Sequence, residues 1–157
     1  EERGQREDVQ RGKRTEAVGE EQAKREEITK VDLGETKITD AGYEEGAKLE
    51  QVTALNLEKT QITDAGLKEV AKLQQLTSLN LQLTRITDAG LKEVAKLDGL
   101  KALGLGGTPI GDGGLKEVAK LEQLVSLDLR GTKVTKAGVA QLQKALPKCK
   151  ISSNPKK

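Results

Sequence analysis

Histidine, phenylalanine, tryptophan and methionine are absent from this sequence of 157 residues, and Tyr43 is its only aromatic. These absences remove His-based metal sites, histidine general bases and aromatic platforms for stacking nucleobases. The single cysteine, Cys149, leaves no internal disulfide and no paired-cysteine zinc site. No apolar run approaches the roughly 18 residues of a membrane span, and the chain opens on Glu1-Glu2 rather than on a basic-then-apolar signal. Together with the lone thiol, this predicts a soluble protein, cytoplasmic, with no membrane partner. The missing initiator methionine predicts a processed or excised chain. Charged residues make up 33% and the hydrophobic set 34%. One domain of this length must therefore build its core sparingly, from aliphatic side chains.

What is present is a period. The segment Ile62-Thr-Asp-Ala-Gly66 recurs at Ile86–Gly90 and appears earlier at Ile38–Gly42. Altered forms follow at Ile110–Gly114 and Val134–Gly138, so every step is 24 residues with no insertion. Five units result, 28–51, 52–75, 76–99, 100–123 and 124–147. Each opens with strand-like alternation. In Leu79-Asn80-Leu81 both leucines fall on one face and Asn80 on the other. The second half of a unit has helical spacing, with Leu91, Val94 and Leu97 on one side and Lys92, Glu93 and Lys96 on the other. Thr87 and Asp88 occupy the places of an N-cap and an acidic first-turn residue. No unit can bury its leucines alone, so the units must stack.

The pattern resembles the leucine-rich repeat template, with Thr36, Thr60, Thr84, Thr108 and Thr132 at its Asn/Cys position. Within that class it looks like bacterial proteins whose 24-residue units read T-x-ITDAGL. It is also similar to the cysteine-containing subclass, close to ribonuclease-inhibitor-like repeats, although its units lack the cysteines. The resemblance implies an α/β solenoid, a horseshoe arc with a parallel sheet on the concave face and helices on the convex face. It also implies protein binding. The threonine hydroxyls are expected to bond buried turn backbone, as an asparagine ladder does. The 27 residues before the first unit are too short and too polar for the F-box found in eukaryotic relatives.

Both ends read as caps. Residues 15–27 align with the end of a unit and predict a degenerate N-terminal cap helix; residues 1–14, with Val9 as their one sizeable apolar side chain, predict a flexible charged segment. Tyr43 and Gly46 stand where later units have Leu and Val, which predicts a weak N-terminal end that a second copy would cover as a homodimer. Residues 148–157 predict a closing strand followed by a basic tail, with Cys149 and Ile151 pointing inward. The tail lysines read as hydrated charge, and no nucleic-acid partner is expected.

The outward strand positions supply the candidate site. Asp32, Asn56, Asn80 and Asp128 form a central column, interrupted by Gly104 in the fourth unit. Glu58, Gln82 and Arg130 stand two residues further along, and Leu83 is the one bulky apolar residue of the neighbouring column. Five strands span only about 24 Å. The floor is on the order of 300 Å², short of the ~800 Å² per partner of a standard interface. A partner would also need the turn rim near Lys37, Gln61, Arg85, Pro109 and Lys133. Asp32 and Asp128 are about 19 Å apart at sheet spacing, too far to share a glycosidic bond. The expectation is a non-catalytic module with no cofactor and no metal site, binding a protein or peptide through the strand face and rim. The alternatives are a self-associating scaffold, or an engineered repeat protein without a ligand.

Overall fold

The computed structural model describes residues 28–44 and 48–155. The expectations for 1–14, for the cap helix at 15–27 and for Gly46 lie outside the described residues. Among the described residues, six strands of three residues each form one parallel sheet in chain order: β1 (Lys30–Asp32), β2 (Ala54–Asn56), β3 (Ser78–Asn80), β4 (Ala102–Gly104), β5 (Ser126–Asp128) and β6 (Lys150–Ser152). Every register step is one sequence period, as in Leu55↔Leu79, Leu79↔Leu103 and Leu127↔Ile151. The helices are α1 (Asp40–Tyr43), α2 (Leu67–Val70), α3 (Leu91–Val94), α4 (Asp112–Val118) and α5 (Lys136–Ala145). This is the α/β solenoid that the repeat pattern implies.

The strand alternation sends Leu55, Leu79, Leu103 and Leu127 into a single continuous core. Leu57, Leu81, Leu105 and Leu129 enter it one pleat later, and Ile62, Ile86, Ile110 and Val134 close the turn above them. The helical segments add Leu67, Leu91 and Leu115 from the other side. Each unit thus supplies one aliphatic layer, and it is the stacking of layers that removes them from water.

The threonine ladder forms. The hydroxyls of Thr60, Thr84, Thr108 and Thr132 each donate to the carbonyl three residues earlier at 2.6–2.7 Å, and all four side chains are buried. Thr36 makes the same bond from an exposed position.

The Thr-Asp pair does something other than cap its own helix. Asp40 accepts the backbone N–H of Thr63 at 2.8 Å and its hydroxyl at 2.5 Å. Asp64 does the same for Thr87, and Asp112 for Thr135. Asp88 takes only the backbone N–H of Gly111, because the threonine is missing there. The carboxylate of one unit therefore latches the turn of the next. This also explains the glycine of the motif: a Cβ at Gly66, Gly90 or Gly138 would run into the latching carboxylate of the preceding unit. At Gly114 it would stand 2.7 Å from Asp88 Oδ1.

Three of the five described helices are only four residues long. α2 and α3 are single turns that start at Leu67 and Leu91, and no side chain caps them. The N-cap expected of Thr87 is absent, since the helix starts only at Leu91 with Gly90 at its N-cap position. Only Thr135 caps in the expected way, its hydroxyl accepting the Gly138 N–H at 3.1 Å at the start of α5. Pro147 follows the C-cap Leu146 and ends that helix.

Tyr43 does not weaken the first unit at its own position. It is among the largest fully buried side chains and joins the core, filling the space a leucine would take. Burial, and secondarily the Glu69 carboxylate, pushes its phenol far above its ordinary value. The first unit is nonetheless the less covered end, with Val31, Leu33, Ile38 and Leu49 only half-buried and Ile28 exposed. At the other end Cys149 is buried as expected, which raises its thiol pKa, and Ile151 is half-buried.

Candidate functional site

The sheet's open face carries the middle residue columns, and the backbone explains how they are held. Beyond each of β1–β5 the chain takes one residue through the left-handed region: Glu35, Lys59, Leu83, Gly107 and Gly131, with φ between 54° and 73°. The N–H groups of the first four donate to the carbonyls of Glu58, Gln82, Gly106 and Arg130 at 2.8–3.0 Å. The inter-strand ladder therefore runs on past the strands. At the last unit the carbonyl is replaced by a side chain, Asn154 Oδ1 accepting the Gly131 N–H at 2.7 Å.

The central column is tied into the same turns. Asp32, Asn56, Asn80 and Asp128 each use Oδ1 to accept the backbone N–H two residues on, at 2.9–3.0 Å. Asn56 also donates Nδ2–H to Asp32 across the strand pair at 3.0 Å. Sequence reasoning placed these four on the open face but missed that they brace it. Asn and Asp bonding their own backbone two residues later is the signal that would have shown it. Glu58 and Gln82 have no such brace.

Arg130 lies against Asp128. Its Nε donates to Oδ1 at 3.0 Å and its Nη2 to Oδ2 at 2.8 Å, a two-pronged pairing. These bonds, chiefly the side-chain ones, hold the Asp128 carboxyl below the usual aspartate range even though partial burial opposes them. Such a carboxylate is poorly suited to give up a proton as a general acid near neutral pH.

Three shallow hollows follow one another across the face. The first, about 340 Å³, lies over β1–β3 and includes Asp32, Asn56 and Asn80. The second, about 370 Å³, lies over β3–β6 and brings together Asn80, Gln82, Asp128 and Arg130 with Ser78, Ser126 and Ser152. The third, also about 370 Å³, borders it and is walled by Leu83, Gln82 and Arg130 over Gly106 and Gly107. The glycines make the room: a Cβ at Gly104 would stand 3.1 Å from Gln82 Nε2, and one at Gly107 would strike the Leu83 side chain. Of the eight candidate residues, Gln82, Leu83, Asp128 and Arg130 share one region, whereas Asp32 and Glu58 stand with the first strands. Among the described residues no group of three or more His, Cys, Asp or Glu side chains is placed to hold a metal, and no helix is long and apolar enough to cross a membrane.

The model of the Leucine Rich repeat family matches residues 51–71 and 72–95. No curated protein matches the chain. Among solved structures the fold is similar to an internalin (inlF) from Listeria monocytogenes, with 20% identity, a TM-score of 0.65, and coverage of 83% of this chain and 43% of that one. It is similar to internalin C2 of the same organism, with 25% identity, a TM-score of 0.60, and coverage of 80% and 54%. A leucine-rich repeat protein from Leptospira interrogans shares 26% identity with a TM-score of 0.55, over 69% of this chain and 27% of its own. The chain thus spans between about a quarter and about half of the length of these structures. What they share with it is the leucine-rich repeat solenoid.

Proposed function

We propose that this leucine-rich repeat solenoid, of the bacterial 24-residue T-x-ITDAGL kind, is a non-catalytic module that takes a protein or peptide segment on its open sheet face and turn rim. Such repeats generally mediate protein–protein interaction, and repeat solenoids bind along extended faces. The observation that carries the reading is the pair of adjoining hollows over β3–β6, which share Gln82, Asp128 and Arg130. Leu83 is the anchor. It is 50% exposed, and it holds a left-handed conformation that glycine takes in the next two units. Glu35 and Lys59 occupy the same backbone position, but they face each other across strands as an ion pair at 3.6 Å; Leu83 has no such partner. Gln82 and Arg130 supply polar contacts at the rim of the hollows. Asp32, Asn56, Asn80 and Asp128 contribute the oxygen lone pairs left after bracing their turns, and Glu58 extends the face toward the first strands.

A random peptide library displayed on phage and panned on the immobilised chain tests this. Selected peptides are expected to lose at least tenfold in affinity toward Leu83→Asn and Arg130→Gln. Peptides that bind both variants as tightly as the unmodified chain would refute the face as the site.

A further inference from the structure

In the units built on β1, β2, β3 and β5, an Asp or Asn at the last strand residue uses Oδ1 to accept the backbone N–H two residues later. The unit built on β4 has Gly104 there. The corresponding N–H, that of Gly106, therefore meets no side-chain oxygen, and it makes no backbone bond either. Gly106 is nevertheless buried, in the floor of the hollow that Leu83, Gln82 and Arg130 wall. Buried backbone donors are normally paired, so an open one beneath a hollow marks a place for an acceptor.

The unit built on β2 shows which group fits. Asn56 spends its carbonyl oxygen on the Glu58 N–H and donates Nδ2–H to Asp32 Oδ1 across the strand pair, both at 3.0 Å. Two units further along, the Gly106 N–H stands in the place of Glu58 N–H, and Asn80 Oδ1 in the place of Asp32 Oδ1. Only the carboxamide between them is lacking. Asn80 Oδ1 lies 3.0 Å from where a Cβ of residue 104 would be, and it keeps a lone pair after accepting the Gln82 N–H. Gln82 Nε2 borders the same point at 3.1 Å. A donor below and an acceptor beside it are the complement of a primary carboxamide. A carboxylate would satisfy the donor but set its second oxygen against Asn80 Oδ1. Arg130 compensates this little, because its charge is already matched by Asp128.

We infer that the hollow over Gly104 and Gly106 takes the carboxamide of an asparagine or glutamine side chain from the bound segment, completing the column of braced turns. This rests on the open face being the binding site, and it names the chemistry that the face reads. A site that bonds both ends of a group rejects analogues that leave one end unpaired.

Gly104→Asn supplies the brace from within the chain and tests the inference. Gly104 does not have a positive φ, and the added Cβ meets only the Asn80 and Gln82 side chains, so the melting temperature should change little. Peptides selected by panning on the unmodified chain should share one Asn or Gln. They should bind Gly104→Asn roughly tenfold more weakly or worse, and replacing their shared residue by Asp or Leu should cost as much. In two-dimensional proton–nitrogen NMR spectra the Gly106 amide signal should move on adding acetamide but not acetate, and in Gly104→Asn the corresponding signal should ignore both. Peptides weakened by Leu83→Asn but not by Gly104→Asn would overturn the inference and leave the face as the binding site. Peptides that require Asp or Glu at the shared position would overturn it too, assigning the hollow to Arg130. Peptides indifferent to Leu83→Asn and Arg130→Gln would remove the face itself; the acetamide titration then decides the hollow alone, and a Gly106 signal that does not move overturns the inference.

Discussion

Asp64 receives both the backbone N–H and the hydroxyl of Thr87, one unit further along the chain. The same bond pair joins Asp40 to Thr63 and Asp112 to Thr135. Three letters of the recurring motif thus have one cause: threonine and aspartate are the two halves of an inter-unit latch, and glycine is the space it needs.

Asp64→Ala is expected to destabilise the fold by about 1–2 kcal/mol, the worth of a lost hydrogen-bond pair to a carboxylate at a partly solvated site. Gly90→Ala, whose Cβ would also stand 2.9 Å from Leu67 Cδ1, should cost about 1–3 kcal/mol through overpacking. The double variant should lose less than the sum, because removing the carboxylate frees the space. Urea titration of all four proteins measures the cycle.

Thr84→Val and Thr36→Val should differ in cost. The first leaves the Leu81 carbonyl short of a donor inside the core, and about 1–2 kcal/mol is expected. Thr36 is exposed and the Leu33 carbonyl keeps the Thr36 backbone N–H at 3.3 Å, so a loss within about 0.5 kcal/mol is expected. Chemical denaturation of the two variants checks the contrast.

Asp128 links stability to acid. Its folded pKa is depressed by Arg130, so the pairing contributes stability above the ordinary aspartate value of 3.8 and loses it as pH falls from there through the folded value. Arg130→Gln should remove that part of the acid dependence and leave the melting temperature between pH 6 and 8 little changed, since the Arg130 side chain is 65% exposed. Thermal melts of both proteins from pH 2 to pH 8 compare the slopes.

Leu83→Asn should leave the melting temperature little changed or raise it, because asparagine tolerates the left-handed region and Leu83 is half exposed and outside the core. Cys149 should react slowly with a thiol reagent in the folded protein and rapidly in urea, since its side chain is buried and burial raises its pKa. Absorbance-monitored labelling with and without denaturant distinguishes the two states.

The stacked core was legible because one period repeats without insertion, and every leucine at a given place has the same neighbour 24 residues away. The threonine ladder was legible for the same reason. The Asp–Thr latch was not, since Thr-Asp before an apolar run is also what a capped helix shows, and only the spacing between units decides which bond forms. The brace made by Asp32, Asn56, Asn80 and Asp128 was hidden likewise: alternation places them on the open face but does not say how their oxygens are used. Tyr43 read as a defect in the leucine pattern, yet its ring fills the core at the first unit. The hollows over Gly104, Gly106 and Gly107 could be anticipated from missing side chains, but the lean of Gln82 and Leu83 over them could not.

Methyl NOE spectroscopy on leucine-labelled protein tests the stacked register most directly. The account predicts a chain of contacts between residues one period apart, Leu55 to Leu79, Leu79 to Leu103 and Leu103 to Leu127. Strand leucines that contact the unit after next, such as Leu55 to Leu103, in place of their partner one period away would contradict it.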